Sequence, residues 1–371
     1  MKKTLIIISY FLIIVVVSAT VYINLSPQFG TNPSNSQKKK YENFDNYNNG
    51  EFKNLDKFKM MTGEMSMVKF FKSDPMRRPK FDLIHDEIDL KTFLSSENSK
   101  IKISWLGHSA FILNIDGMIV MLDPMLGDYA SPLPLPSLKR YSSNIAFPIE
   151  NIDTIDVVVF SHDHYDHLNY SSIQKIKNKV RVFYVPYGMG NHLKGWGVKS
   201  ESIIELNWGN SKINNGVEFF CLPALHFSGR GILNRNSTLW CSWAIICNNG
   251  TIYFSGDSGY GSHFKKIGEQ YGPFDISLID CGQYNSAWKY SHMTPEQAVQ
   301  AAQELTSTYF MPIHWGGFTL STHSWTEPVR RALEYAEKSN QKIITPRLGQ
   351  IVYLDNNNDH LQTNYWWNKY Y

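Results

Sequence analysis

Apolar residues fall into two kinds of run: one long run at the start of the chain, and many short ones separated by polar turns from residue 101 onward. The long run, Thr4 to Leu25, holds no charged residue. From Leu5 to Ile23 a helix would rise about 28 Å, close to the ~30 Å of a bilayer's hydrocarbon. This predicts a membrane helix over residues 1–25. A cleaved signal peptide fits the same stretch, with Lys2 and Lys3 before the apolar Leu5 to Val17 and a small-residue site at Val17-Ser18-Ala19. Val21, Tyr22 and Ile23 carry the apolar character past that site and favour an uncleaved anchor. Lys2 and Lys3 favour an inside N-terminus, which places the rest of the chain outside the cytoplasm.

The short runs read as strands. Ile101 to Leu106, Ala110 to Ile115 and Met118 to Leu122 make a meander. Asp156 to Phe160, Val180 to Val185, Val217 to Leu222, Trp240 to Cys247, Thr251 to Phe254, Ile276 to Ile279 and Tyr309 to Ile313 follow, with a hairpin turn at Asn248-Asn249-Gly250. Helices are expected at Tyr170 to Lys179 and after Thr294-Pro295-Glu296-Gln297, a capping box with proline in the first turn. Strands mixed with helices define an α/β class for a catalytic domain at 99–355.

Ser26 to Gly50 is rich in Asn, Ser, Lys and Gly, so 26–50 is expected to be a flexible linker. Residues 51–98 are expected to pack on the catalytic domain as an extension. They carry a Met-rich patch (Met60, Met61, Met65, Met67, Val68, Phe70, Phe71) suited to packing or to lipid. Pro132 to Pro136 alternates proline with leucine and reads as a pocket wall or lid. The tail, 356–371, holds Tyr365, Trp366, Trp367, Tyr370 and Tyr371, aromatics that suit either a membrane interface or the core.

Composition narrows this picture. Hydrophobic residues at 43% supply a sizeable core, and a net charge of +3 with no stripe of Lys and Arg excludes a nucleic-acid partner. The basic residues crowd the start: 13 of them stand against 6 acidic ones in residues 1–80, where anionic lipid head groups would meet them. The cysteines Cys221, Cys241, Cys247 and Cys281 show no C-x-x-C spacing, which leaves them as buried thiols and not a structural zinc site. A homodimer is compatible with the sequence.

The candidate chemistry follows the run Asp156 to Phe160. Ser161-His162-Asp163-His164-Tyr165-Asp166-His167-Leu168 places three histidines and two aspartates within six residues. In extended chain His162 and His164 share a face, and the turn after Tyr165 brings Asp166 and His167 toward a second point. Two metal positions fit that geometry better than one. His226, Asp257 and His314 each follow a short apolar strand, where loops converge in layered α/β folds. Asp123, before Pro124, is either a partner orienting a metal-binding histidine or a turn starter. His108 and His292 are candidates to touch substrate or move a proton.

The chain resembles the metallo-β-lactamase fold superfamily through His162 to His167. It also resembles the N-acylphosphatidylethanolamine-hydrolysing phospholipases D and their bacterial relatives. That closer likeness rests on Trp105-Leu106-Gly107-His108, Phe254-Ser255-Gly256-Asp257-Ser258-Gly259-Tyr260, Tyr271-Gly272-Pro273-Phe274-Asp275 and Ile313-His314-Trp315-Gly316. The resemblance implies an αββα sandwich with two Zn2+ ions at one edge. One ion would be held by His162, His164 and His226, the other by Asp166, His167 and His314, with Asp257 bridging. It implies hydrolysis of N-acyl phospholipids by a hydroxide between the ions, with Asp166 orienting it and phosphatidic acid and N-acylethanolamine as products. The loop Gln283 to Tyr290 and the segment before Ile101 depart from the eukaryotic enzymes, which bears on head-group and acyl preference. Two other readings fit the same residues: a zinc hydrolase of a lactone or small ester, and an inactive zinc-containing lipid-binding protein.

Overall fold

The computed structural model describes residues 2–60, 62–63, 74, 76–95, 101–231, 233–354, 363 and 365–370. Two seven-stranded sheets stack face to face. The first contains β3 (Ile101–Gly107), β4 (Ala110–Ile115), β5 (Met118–Leu122), β6 (Ile155–Val159), β7 (Val180–Pro186), β8 (Ile203–Leu206) and β16 (Ile351–Leu354), ordered β16-β3-β4-β5-β6-β7-β8. The second contains β9 (Ser211–Asn214), β10 (Val217–Leu222), β11 (Ser242–Cys247), β12 (Gly250–Phe254), β13 (Ile276–Asp280), β14 (Tyr309–Ile313) and β15 (Lys342–Ile343), ordered β15-β14-β13-β12-β11-β10-β9.

The meander β3-β4-β5 is antiparallel, and β5 to β8 run parallel. In the second sheet β9 to β12 are antiparallel and β12 to β15 parallel. Strands covered on both faces read as continuous apolar runs, which is why the central strands were visible as such. Ile103, Trp105, Phe111, Val120 and Val157 of one sheet meet Phe219, Trp243, Ile252, Phe254 and Leu278 of the other in the inner core.

Helices cover both outer faces. On the first sheet α4 (Tyr170–Ile176) buries Ile173 and Ile176, and α5 (Gly190–Gly195) buries Leu193. On the second lie α6 (His263–Tyr271), α7 (Pro295–Glu304) and α8 (Glu327–Lys338), burying Phe264, Ile267, Val299, Ala302, Ala332 and Ala336. The capping box forms: the Thr294 side chain accepts from Gln297 N, and the Gln297 side chain accepts from Thr294 N. Helix, sheet, sheet and helix give the expected αββα sandwich. The edge strands β8 and β9 went unread in the sequence, since short half-exposed runs lack a strong period, and the amphipathic α8 was passed over.

The N-terminus departs from expectation. After α1 (Lys2–Leu25), residues 26–52 form a strap folded onto the domain and not a flexible linker. It comprises a 3₁₀ turn at Pro27–Phe29, α2 (Asn35–Tyr41), and a hairpin of β1 (Tyr47–Asn48) with β2 (Glu51–Phe52). Tyr41, Tyr47 and Phe52 bury themselves with Ala224, Leu239 and Trp240. Polar residues hid this, because sparse aromatics and backbone bonds hold the strap. Trp196 Nε1 donates to Pro27 O at 2.6 Å, Arg230 Nη2 to Gln28 O at 2.7 Å, and Thr31 N to His192 Nδ1 at 2.9 Å. Gly30, at φ +71°, is required there, since a Cβ would fall 2.1 Å from His192 Nδ1.

In the extension, α3 (Leu90–Leu94) buries Phe93, whereas Met61, Met65, Met67, Val68, Phe70 and Phe71 lie outside the described residues. Met60 is buried. The tail also resolves one open choice: Trp366, Trp367 and Tyr370 pack into the inner core beside Trp315 and Trp325, so they are not interface aromatics. Cys221, Cys241 and Cys281 are buried thiols as expected, and Cys247 is intermediate.

Candidate metal centre and cleft

The strand ends β5, β6, β10, β12, β13 and β14 deliver Asp123, His162, His226, Asp257, Asp280 and His314 to one edge of the sandwich. Gly256, at φ +55°, lets Asp257 turn inward, and a Cβ there would lie 2.3 Å from the Ser161 Cβ. Asp123, His108, Gln283 and His314 all take positive φ in this region. Non-glycine residues held in that strained backbone cluster at functional sites.

Two groups of donors form. His162, His164, His226 and Asp257 make one, and Asp166, His167 and His314, with His108, make the other. In the first, His162 Nε2 and His226 Nε2 stand 2.8 and 3.2 Å from His164 Nδ1. A tetrahedral zinc with bonds of about 2.0–2.1 Å has donor edges of about 3.3–3.4 Å; the His164–His226 edge is close to that and the His162–His164 edge is shorter. Asp257 joins the groups: Oδ2 lies 3.6 Å from His162 Nε2, while Oδ1 lies 3.1 Å from both His167 Nε2 and His314 Nδ1. His167 Nε2 and Asp257 Oδ1 are buried without any hydrogen-bond partner. A buried donor set facing inward on nothing is costly unless a cation satisfies it, so the residues present fit metal.

Electrostatics separate the donors. Burial, followed by the neighbouring histidines, holds His162 and His226 well below the usual imidazole range, in the neutral form that binds metal. Burial lowers His314 likewise. At His167 burial is overcome by Asp257, Asp166 and Asp123, which hold it well above that range. Asp166 is pulled well below the carboxylate range against burial by His167 and His108.

A second ring of contacts fixes the donors. Asp123 Oδ2 accepts from His167 Nδ1 at 2.7 Å, and Asp123 Oδ1 accepts from Ser161 N at 2.7 Å; of its two readings, Asp123 is the orienting partner. His226 Nδ1 donates to Ser291 O at 3.0 Å, and Asn54, just past the strap, bonds His226 O and N at 2.8 and 3.2 Å.

The two remaining candidates separate. His292 lines a cleft of about 250 Å³ together with His164, Asp166, Asp257 and His314, opposite Phe227, Trp288 and Leu320. Its Nδ1 lies 2.8 Å from Asp280 Oδ2. Burial pushes Asp280 up to about 7, and Asp280 in turn raises His292 against its own burial. His108 does not line this cleft. It is fully buried behind Asp166, with Nε2 2.8 Å from Asp166 Oδ2 and its ring against His314 and Phe318, where it can position that carboxylate. The Pro132 to Pro136 loop does not line the cleft either.

Sequence reasoning passed over Asp280, Gln283 and Asn54. Asp280 had a signal: like Asp257 it closes a buried apolar strand and is followed closely by glycine. Gln283 donates to His314 O and Phe318 O at 3.3 and 3.2 Å and accepts from Leu320 N, tying the loops of the cleft together.

The comparisons with known proteins agree with this geometry. The family model described as the beta-lactamase superfamily domain matches residues 119–315. An uncharacterized protein of Mycobacterium tuberculosis is 39% identical over 313 residues, covering 83% of this chain and 84% of that one. An N-acyl-phosphatidylethanolamine-hydrolyzing phospholipase D of Caenorhabditis elegans is 34% identical over 266 residues, covering 67% of this chain and 74% of that one. Among solved structures, an isothiocyanate hydrolase from Delia radicum gut bacteria aligns with a TM-score of 0.55 at 18% identity, over 68% of this chain and 99% of that one, a likeness of fold alone.

Proposed function

The chain belongs to the beta-lactamase superfamily as a metal-dependent hydrolase, and from that premise we propose that it is a two-zinc phosphodiesterase of the phospholipase D type. Its substrate would be an N-acylphosphatidylethanolamine-like phospholipid, its products phosphatidic acid and an N-acylethanolamine. The observation that carries this reading is the pair of donor groups sharing Asp257 at the floor of a cleft walled by Phe227, Trp288 and Leu320. The relative from Caenorhabditis elegans supports the choice of substrate.

His162, His164 and His226 would hold one ion, Asp166, His167 and His314 the other, with one Asp257 oxygen toward each. When bound, the ions supply positive charge for the phosphoryl oxygens and water acidic enough to attack near neutrality. The chain's own part is positional. Asp123 and Ser291 O lock the imidazole orientations of His167 and His226, Asn54 holds the His226 backbone, and His108 orients the Asp166 carboxylate. His292, its Nδ1 engaged by Asp280, has Nε2 left to give a proton to the departing alcohol oxygen. The apolar wall receives lipid chain and thins the water around the reacting phosphate.

The test is to incubate the zinc-loaded full chain with N-acylated and plain phospholipids, lactones, small esters and soluble phosphodiesters. Release of N-acylethanolamine from the N-acylated lipid, abolished by chelation and restored by zinc, is the expected result. Turnover of lactones or esters alone would replace this reading with a carbonyl hydrolase, and no turnover would leave an inactive lipid-binding protein.

A further inference from the structure

The strap changes what α1 can do. Ile6–Leu25 is long enough, at about 30 Å, to cross a bilayer, and its large apolar side chains from Ile6 to Val17 are exposed on every side. A helix apolar all round with no protein around it calls for lipid. Its last turns do not hang free. Tyr22 Oη donates to Pro132 O at 3.0 Å, and the Phe29 ring packs edge-on against both Tyr22 and Tyr165. Tyr165 stands between the donors His164 and Asp166.

Two loops meet the chain within these few residues. One carries Leu133 and Leu135, 45% and 43% exposed, between Pro132 and Pro136, whose carbonyls Tyr22 and Arg78 bond. The other carries Leu233, 98% exposed. It starts at Phe227 on the cleft wall and is tied to the strap by Arg230 to Gln28 and Asn234 to Asn32. Exposed leucines at the exit of an apolar helix, on loops bonded to that helix and its strap, share its solvent.

We propose that the strap of residues 26–52 clamps α1 against the catalytic domain, and that Leu133, Leu135 and Leu233 enter the lipid leaflet at the point where the helix leaves it. The cleft then opens at the membrane surface, so that a lipid reaches the metal centre without leaving the interface. This rests on α1 as a bilayer anchor and is read without any turnover, so it stands or falls apart from the choice of substrate.

The experiment places an environment-sensitive fluorophore on Leu135→Cys, Leu233→Cys or, as a distant control, Ile213→Cys on β9, which is 69% exposed. Wild type labelled in parallel sets the background from the native cysteines. The full chain is reconstituted in phosphatidylcholine and phosphatidylglycerol vesicles, with and without nitroxide-bearing lipids. The expected result is flotation with the vesicles and quenching at 135 and 233 at least about twofold above 213, as for side chains below the head groups. Gly30→Val, which drives a side chain into His192, should keep flotation yet bring the 233 signal down to the control. If that variant does not fold, Phe29→Ala, which removes both edge contacts, takes its place. A chain that fails to float, probes quenched no more than 213, or quenching unchanged by strap variants would each overturn the proposal.

Discussion

The metal centre and the strap are both held by networks of single contacts, yet they are written in the chain in opposite ways. The centre draws its donors from strands β6, β10, β12 and β14, so its parts are fixed by a frame whose central strands end buried. The strap has almost no sheet of its own and borrows its order from residues more than a hundred positions away, such as His192, Arg230 and Trp240. A polar segment can therefore be rigid without looking so. What decides rigidity is where its backbone groups and few aromatics find partners, not its composition.

The contrast can be broken most forcefully at the centre. Asp257→Asn should lower turnover by at least about 100-fold, since the loss of an orienting group alone costs about 10- to 100-fold and Asp257 serves both donor groups directly. Near-normal turnover with two metal ions retained per chain by elemental analysis would remove Asp257 from the bridging position. Next in size is the pair behind the cleft. Asp280→Asn should cost about 10- to 100-fold, less than His292→Ala, if Asp280 only orients and charges the imidazole.

Its pH signature has a definite sign. The acid form of His292 is lost as pH rises through its pKa, which Asp280 raises. Removing the Asp280 charge should therefore move the basic limb of the pH–rate profile to lower pH. A profile that keeps its basic limb in Asp280→Asn would assign the pair a structural part only.

The smallest effect sharpens the other side of the comparison. Ser34 caps α2, accepting from Gln37 N, while the Gln37 side chain returns to Ser34 N. Ser34→Ala should cost about 1 kcal/mol in chemical unfolding of the domain. A segment free of the domain would leave that transition unmoved, and no change in the midpoint would return 26–50 to a linker.

Most of the frame was legible because burial writes strands as apolar or alternating runs: Tyr309–Ile313, buried throughout, and Val217–Leu222, buried at alternate positions, were read to the residue. The seven proposed donors were legible because strand ends and the His162 to His167 run concentrate them, and the fold brings all seven together. Asp280 was missed although it ends a strand as Asp257 does, because without its partner His292, twelve residues on, a lone carboxylate carries no assignment. His108 was read as a candidate to touch substrate or move a proton, but at a positive φ of +56° its ring lies buried behind Asp166. Trp366 and Trp367 were ambiguous for a general reason. Tryptophan suits core and interface equally, and only the presence of Trp315 and Trp325 at that place in the inner core decides.

The central claim is that the chain cleaves at phosphorus, and hydrolysis of an N-acylphosphatidylethanolamine in oxygen-18 water by the zinc-loaded protein tests it most directly. Mass spectrometry of the two products should find the label in the phosphatidic acid and none in the N-acylethanolamine. Label in the released alcohol, or products cut at an acyl ester, would contradict it.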